Sequence, residues 1–102
     1  MLLLVIWKLR DNAYGVSIAE MLSQVTGKEW VLGAIYVPLE RLEKKGYLTS
    51  KMGDPTNIRG GRRKRMYQLT KEAIKSLINT KSLEQSLWRE ISLSKLEEEY
   101  ET

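Results

Sequence analysis

The spacing of apolar residues changes abruptly at Gly46, and this change restricts the fold more than any other feature of the sequence. Before Gly46, apolar residues recur every three or four positions, which is typical of amphipathic helices. After it, residues 47–52 and 63–69 roughly alternate apolar and polar side chains, which predicts two strands. The segment between these strands is rich in glycine and is typical of a loop. The chain is therefore predicted to form helices first and then a β-hairpin with a long tip.

Three helices are predicted before the hairpin, over residues 2–9, 15–26 and 33–45. Gly27 and Gly46 follow the second and third helices, at the position where glycine commonly ends a helix. Residues 29–32 are β-prone and predict a short strand that includes Trp30, whose role is expected to be structural. The buried faces are predicted from helical spacing to be Ile18, Met21, Leu22 and Val25, and then Ile35, Leu39 and Leu42.

The region after the hairpin is predicted to be helical, either as one kinked helix or as two helices in series. Thr70 is the predicted N-cap, and Ser82 with Gln85 matches a capping box for a final helix. The last helix is predicted to carry two apolar stripes on roughly opposite faces. One stripe is expected to pack on the chain's own domain and the other on a partner subunit. The stripes are Leu83, Leu87, Trp88 and Ile91, and Leu93, Leu96 and Tyr100.

The composition argues against several classes of function. The chain of 102 residues has no cysteine and no histidine, which removes thiolate and imidazole metal ligands, the commonest general base and the cysteine nucleophile. We therefore expect no metal, no cofactor and no catalytic activity. The apolar run at residues 1–7 is too short to span a bilayer and lacks the basic start of a signal peptide. It predicts a buried helix in a cytoplasmic protein without membrane contact, whose natural chain begins further upstream.

The charge is unevenly distributed along the chain. The net charge is +4, with a balance of +7 over residues 1–80 and −3 over residues 81–102. The basic excess is greatest from Arg41 to Arg65, where nine basic residues stand against two acidic ones. A concentrated positive field suits a polyanion such as nucleic acid, although a solvated surface explains the charge alone equally well.

The order helix, helix, short strand, helix and basic hairpin is typical of a winged helix-turn-helix. The predicted fold class is mainly α with a small β wing (α+β). The helix over residues 33–45 is predicted to enter the major groove, and the wing, residues 53–65, to contact the backbone or minor groove of duplex DNA. Glu40 and Glu43 are expected to face solvent or to pair with lysines at helical spacing. The predicted DNA-contacting residues are Ala34, Tyr36, Val37, Arg41 and Lys44 on the helix, and Arg59, Arg62, Arg63, Lys64 and Arg65 on the wing.

Three segments resemble the PadR family of transcriptional regulators, and the resemblance extends over residues 2–78. They are YGVSIA at residues 14–19, LGAIYVPLERLEKKGYL at residues 32–48, and GGRRKRMYQLT at residues 60–70. The three occur in the family's order, which is more specific than any one of them. One departure is that Pro38 comes one residue later than the family's Tyr-Pro pair, and Gly33 as N-cap would place this proline inside the helix.

The resemblance implies a homodimeric bacterial or archaeal repressor in which Tyr14 also contacts DNA. The family's C-terminal helix crosses to the other subunit near the first helix. This implies a winged-helix domain over residues 1–78, a dimerisation helix over residues 79–102, and a dimer interface with Leu3, Leu4, Leu83, Leu87 and Ile91. The short C-terminal region is similar to that of the multidrug-sensing subfamily, which binds flat aromatic compounds between subunits. The implied effector-binding residues are Trp7, Leu87, Trp88 and Ile91.

Two alternatives remain at this point. Trp7 and Trp88 are equally explained as core or interface packing, the usual role of an apolar tryptophan. A winged helix can also serve as a protein–protein adaptor, with the basic wing binding an acidic partner. Duplex binding with a steep dependence on salt separates the repressor from the adaptor.

Overall fold

The helices and the two strands of the hairpin follow the predicted order. The structure, a computed structural model, describes residues 1–53 and 64–102. Within these residues, five α-helices and one antiparallel pair of strands make up the fold, which confirms the mainly α winged helix with a small β wing. The elements are α1 (Leu2–Leu9), a 3₁₀ turn (Arg10–Asn12), α2 (Gly15–Thr26), α3 (Leu32–Lys44), β1 (Leu48–Met52), β2 (Arg65–Leu69), α4 (Lys71–Trp88) and α5 (Leu93–Glu101).

The core lies between α1, α2, α3 and the hairpin, and it is built from the predicted helical faces. Ile18 and Leu22 of α2 are buried, as are Ile35 and Leu39 of α3, because residues four apart share a helical face. Val25 was predicted on the same face but is exposed, since it lies in the last turn of α2, away from the core. Gly27 and Gly46 adopt φ angles of 72° and 84°, which confirms their predicted helix-ending role.

The hairpin is anchored to the helices through its second strand. Leu48 pairs with Leu69, and Ser50 pairs with Tyr67. In β2, Tyr67 is buried and Met66 is half-buried. The Tyr67 backbone N–H donates to the carbonyl of Ala13 at 2.8 Å, and Ala13 has extended φ and ψ angles of −93° and 99°. The extended segment that meets the hairpin therefore precedes α2.

The predicted strand at residues 29–32 is wrong. These residues form the turn between α2 and α3 and the start of α3. The Trp30 indole N–H donates to Thr26 Oγ1 at 3.0 Å, and the Trp30 backbone N–H donates to Ser23 Oγ at 3.3 Å. Both partners lie on α2, so the hydrogen bonds of Trp30 hold the turn against that helix instead of pairing with a strand.

Helix α3 begins at Leu32 with Val31 as its N-cap, so the predicted cap at Gly33 is wrong by two residues. The first turn is tight, because the Ala34 N–H donates to the Val31 carbonyl three residues back at 3.1 Å. Pro38 lies inside the helix, which continues through it to Lys44. Since proline has no N–H, the Ala34 carbonyl receives no helical hydrogen bond from this position.

The helical region after the hairpin divides later than predicted. Thr70 Oγ1 accepts the Ala73 N–H at 3.2 Å, which confirms the N-cap of α4. Helix α4 then continues through residues 79–85, so the capping box at Ser82 and Gln85 is wrong. Moderately helix-averse residues such as Asn79 and Thr80 cost only tenths of a kcal/mol each, too little to end a helix. The junction falls at residues 89–92, where Ser92 Oγ accepts the Lys95 N–H. In the residues that the structure describes, no helix is long and apolar enough to cross a membrane.

Candidate nucleic-acid interface

One side of α3 carries the predicted contact residues. With Ile35 and Leu39 turned into the core, Tyr36 and Val37 remain 44% and 53% exposed. Arg41 and Lys44 are exposed one and two turns later, near the C-terminal end of the helix. The structure thus gives α3 an outer face, which we call the reading face. Its members are Ala34, Tyr36, Val37, Arg41 and Lys44.

Tyr36 lies against the first turn of α2. A Cβ atom added to the buried Gly15 would be 2.8 Å from the Tyr36 hydroxyl oxygen, so only glycine leaves room for the phenol in this position. The backbone of this turn is fixed by Ser17, whose Oγ accepts the Tyr14 N–H at 3.0 Å. Tyr14, Gly15 and Tyr36 therefore form one surface. The sequence prediction missed Ser17, although a serine three residues after a helix start fits a capping pattern.

The base of the wing is attached to two helices. The Lys64 ammonium nitrogen lies 4.2 Å from the centre of the Tyr14 ring, a cation–π contact with the start of α2. An Arg65 guanidinium nitrogen, Nη1, donates to Ser50 Oγ at 3.0 Å. Ser50 Oγ in turn lies 3.0 and 2.9 Å from the two carboxylate oxygens of Glu43. The predicted contacts at Arg59, Arg62 and Arg63 lie outside the described residues.

A crevice of about 630 Å³ separates the reading face from the base of the wing. Burial raises the pKa of the Tyr67 phenol above its ordinary value of 10.0; the Arg65 guanidinium offsets part of this rise and the Glu43 carboxylate adds to it. Glu40 is exposed, as predicted, whereas Glu43 is half-buried and bound to Ser50 instead of pairing with a lysine or facing solvent. Glu43 and Ser50 were not predicted as site residues. The crevice is lined by Tyr14, Tyr36, Glu40, Glu43, Lys64 and Arg65, among others.

The sequence model of the transcriptional regulator PadR-like family matches residues 2–77. This protein belongs to the PadR-like family. It is therefore a transcription regulator and not an enzyme, and regulators of this family bind DNA. The comparison with curated proteins found no match.

Several solved structures are similar to this PadR-like regulator in fold. A PadR family transcription regulator from a hypervirulent Clostridium difficile is 24% identical, with a TM-score of 0.57, covering 99% of this chain and 97% of its own. A transcriptional regulator from Thermoplasma acidophilum is 17% identical, with a TM-score of 0.58 and coverages of 89% and 92%. One from Clostridium thermocellum is 21% identical, with a TM-score of 0.57 and coverages of 89% and 89%. At these identities the likeness concerns the fold alone.

A second surface of the PadR-like regulator is apolar and lies between α1 and α4. It is a groove of about 690 Å³. Of the predicted interface and effector residues, Leu4 and Trp7 line this groove, whereas Leu3 is half-buried against the core. The Arg10 guanidinium stacks on the Trp7 ring, 3.9 Å from its centre. The apolar residues that line the groove are Met1, Leu4, Trp7, Ile74, Leu77 and Ile78.

The remaining predicted interface residues lie further along the C-terminal region and do not line the groove. Leu83, Leu87 and Trp88 are exposed on α4, and Ile91 is exposed at the junction before α5. Every residue from 81 to 102 is exposed in the single chain. The structure thus brings Trp7 together with Leu4 but leaves both apart from Trp88 within one protomer.

Proposed function

We propose that this regulator is a sequence-specific repressor that binds operator DNA as a homodimer. In this proposal α3 enters the major groove and the wing, residues 53–65, contacts the backbone or minor groove. The observation that carries the proposal is the position of the reading face. Val37 is exposed opposite the buried Ile35 and Leu39. Tyr36 is exposed beside it and lines the same crevice as Tyr14 and Lys64.

The charges on this side suit phosphate. Arg41 and Lys44 are exposed on the last turns of α3, and residues 59–65 add five basic side chains to the wing. Cations placed along a duplex release condensed counterions on binding, so affinity falls steeply as salt rises. Base contacts from Ala34, Tyr36 and Val37 would then select the sequence, while the basic residues fix the position on the backbone.

In the proposed dimer, the partner subunit buries apolar residues of the C-terminal region that are exposed in the single chain. The apolar residues between Leu83 and Tyr100 are exposed in one chain, and exposed apolar surface of this extent marks an interaction site. We assign residues 1–78 to the winged-helix domain and residues 79–102 to dimerisation. A symmetric dimer would present two copies of α3 about 34 Å apart, one turn of DNA. The interface residues proposed are Leu3, Leu4, Leu83, Leu87 and Ile91.

Duplex binding tests this proposal. The protein is titrated against the DNA upstream of its own coding region and against a scrambled duplex, at two salt concentrations. We expect tight binding to one duplex, weaker binding to the scrambled one, and a steep loss of affinity with salt. Binding that ignores sequence, or no binding, would favour the adaptor, in which the basic wing binds an acidic protein.

A small aromatic or hydrophobic effector at the dimer interface is the proposed means of release. Trp7 and Trp88 each expose an aromatic surface, and Leu87 and Ile91 add apolar area beside Trp88. An effector can release DNA only if it binds one spacing of the two α3 helices better than the other.

We expect a planar polycyclic dye to quench tryptophan fluorescence and to release operator DNA. Replacing Trp88 with phenylalanine should weaken dye binding by about 10-fold, because a large stacking surface is lost. The control is Trp30→Phe, since Trp30 is bonded into the turn between α2 and α3 and should not affect the dye. Equal dye affinity in both variants would exclude Trp88 from the effector site.

Replacing Gly15 with alanine should weaken operator binding without weakening the fold. Alanine favours the helix by up to about 1 kcal/mol, but its Cβ would meet the Tyr36 hydroxyl at 2.8 Å and displace the ring. We expect an unfolding temperature at or above that of the unmodified protein and a loss of affinity of about 10-fold. Adding Tyr36→Phe removes the closest atom and separates a clash from a loss of the hydroxyl itself. Unchanged affinity in Gly15→Ala would mean that the position of Tyr36 is irrelevant to DNA binding.

A further inference from the structure

We infer that Arg65 is a positioning residue of the wing and not a phosphate contact, held by a hydrogen-bonded chain that we call the Glu43–Ser50–Arg65 relay. This inference rests on the proposed duplex binding and revises one of its contacts. It also assigns a role to Glu43 and Ser50, which do not belong to the reading face and carry no positive charge.

The relay joins three elements of the fold. Ser50 Oγ lies 2.9 Å from one Glu43 carboxylate oxygen and 3.0 Å from the other, and it accepts a hydrogen bond from Arg65 Nη1 at 3.0 Å. A serine hydroxyl has one proton to donate and lone pairs with which to accept, so it satisfies both charged neighbours at once. Glu43 belongs to α3, Ser50 to β1 and Arg65 to β2.

The strand register explains how Arg65 reaches Ser50. Arg65 pairs with Met52, and Ser50 lies two residues along β1 on the same face of the sheet. Such diagonal neighbours are within reach of a long side chain. The relay therefore fixes the first residue of the returning strand relative to the end of α3.

A second contact holds the adjacent residue. Lys64 lies over the Tyr14 ring at 4.2 Å, which connects the wing to the start of α2. Lys64 and Arg65 thus both connect the described end of the wing to the helical body. Fixing both sets the direction in which the wing leaves the domain.

The negative charge of Glu43 near its guanidinium distinguishes Arg65 from an arginine that binds phosphate. Its guanidinium is connected through one hydroxyl to the Glu43 carboxylate, which would repel a nearby phosphate. If Arg65 turned away to bind phosphate, Ser50 would lose the hydrogen bond that it accepts from Nη1, and the Glu43 carboxylate would lose its nearby positive charge. The pairing of strands β1 and β2 from residue 48 to residue 52 and the buried Leu48 and Tyr67 hold the hairpin without the relay, so its loss should redirect the wing and leave the fold intact.

Ser50→Thr and Ser50→Val provide a matched pair, because threonine and valine have the same shape and differ by one hydroxyl. Both are well suited to a strand. We expect Ser50→Thr to bind operator DNA within about 2-fold of the unmodified protein and Ser50→Val to bind about 3- to 10-fold more weakly, the range of one net hydrogen bond. Equal affinities for the two variants would overturn the relay.

Replacing either Glu43 or Glu40 with glutamine tests whether the loss of a negative charge strengthens or weakens operator binding. Each change removes one negative charge from the same crevice, so electrostatics alone predicts tighter DNA binding for both. The relay predicts that Glu40→Gln tightens operator binding and that Glu43→Gln weakens it. Operator binding that tightens equally in both variants would overturn the inference.

The salt slope separates positioning from phosphate contact. If Arg65 neutralised a phosphate, Arg65→Ala would reduce the slope of log affinity against log salt by about 0.9 per subunit. We expect Arg65→Ala to lower the affinity and to change the slope by the same amount as Ser50→Val, because both variants release the wing and neither removes a phosphate contact. If the unmodified protein does not bind a duplex, the proposed function fails, and amide exchange of Gly53, whose N–H donates to the Lys64 carbonyl at 2.7 Å, then decides the relay in the free protein. Faster exchange in Ser50→Val than in Ser50→Thr supports it, and equal exchange overturns it.

Discussion

Replacing both Leu87 and Ile91 with aspartate is expected to convert the regulator from a dimer into a monomer and to abolish operator binding. The two side chains are 57% and 46% exposed in the single chain, so their apolar surface is available to a partner. Burying each contributes about 1.5–3 kcal/mol, and a two-fold interface uses each residue twice. The dimer dissociation constant should therefore rise by at least about 10⁴-fold, before any cost of burying carboxylates is added.

Sedimentation velocity measures the dimer directly, and circular dichroism shows whether the helices remain. The matched control is Ser82→Asp with Gln85→Asp, which adds the same two charges to α4 on the side away from Leu83 and Leu87. We expect this control to remain dimeric. A dimer that survives in the Leu87 and Ile91 variant would exclude the proposed C-terminal interface.

The parts of the fold that depend on local physics were predicted from the sequence. The glycines after α2 and α3 adopt positive φ because a helix commonly ends in that conformation, and glycine bears it without cost. Thr70 caps α4 because its hydroxyl accepts an N–H three residues ahead. The helical faces of α2 and α3 follow from spacing alone, apart from the exposed Val25.

The errors concern features that depend on distant partners. The β-prone stretch containing Trp30 forms no strand, because Ser23 and Thr26 of α2 take its hydrogen-bonding groups. The strand β2 is instead contacted by Ala13, whose carbonyl accepts the Tyr67 N–H from 54 residues away in the sequence. The predicted break near Ser82 failed for a different reason: a capping pattern is only a weak signal within a helix that has no glycine or proline at that point.

For the candidate site, the sequence predicted which residues of α3 are exposed but not the contacts between different elements. Tyr36, Val37 and Arg41 were predicted correctly as exposed residues of α3, since helical spacing decides exposure. The contacts of Glu43 depend on the register of β1 and β2, which brings Ser50 and Arg65 to it from two other elements. Sequence spacing considers only neighbours on the same helix, so it suggested lysine partners for Glu43.

Replacing Arg62 and Arg63 with alanine is expected to weaken binding to every duplex and to flatten its salt dependence. These arginines lie outside the described residues, so the prediction rests on their charge and on the attachment of the adjacent Lys64 to Tyr14. If each neutralises one phosphate in both subunits, the slope of log affinity against log salt should fall by about 3.6. Titrations at four salt concentrations, with operator and scrambled DNA, measure it.

The control for this variant is Arg89→Ala with Lys95→Ala, which removes the same two charges from the acidic region after residue 80. Net charge alone would weaken DNA binding equally in both variants, whereas direct phosphate contact affects only the wing. A slope that changes only for Arg62 and Arg63 therefore locates the phosphate contacts on the wing. A slope that stays constant in the wing variant would leave α3, with Arg41 and Lys44, as the main source of phosphate contacts, and the wing would need another role.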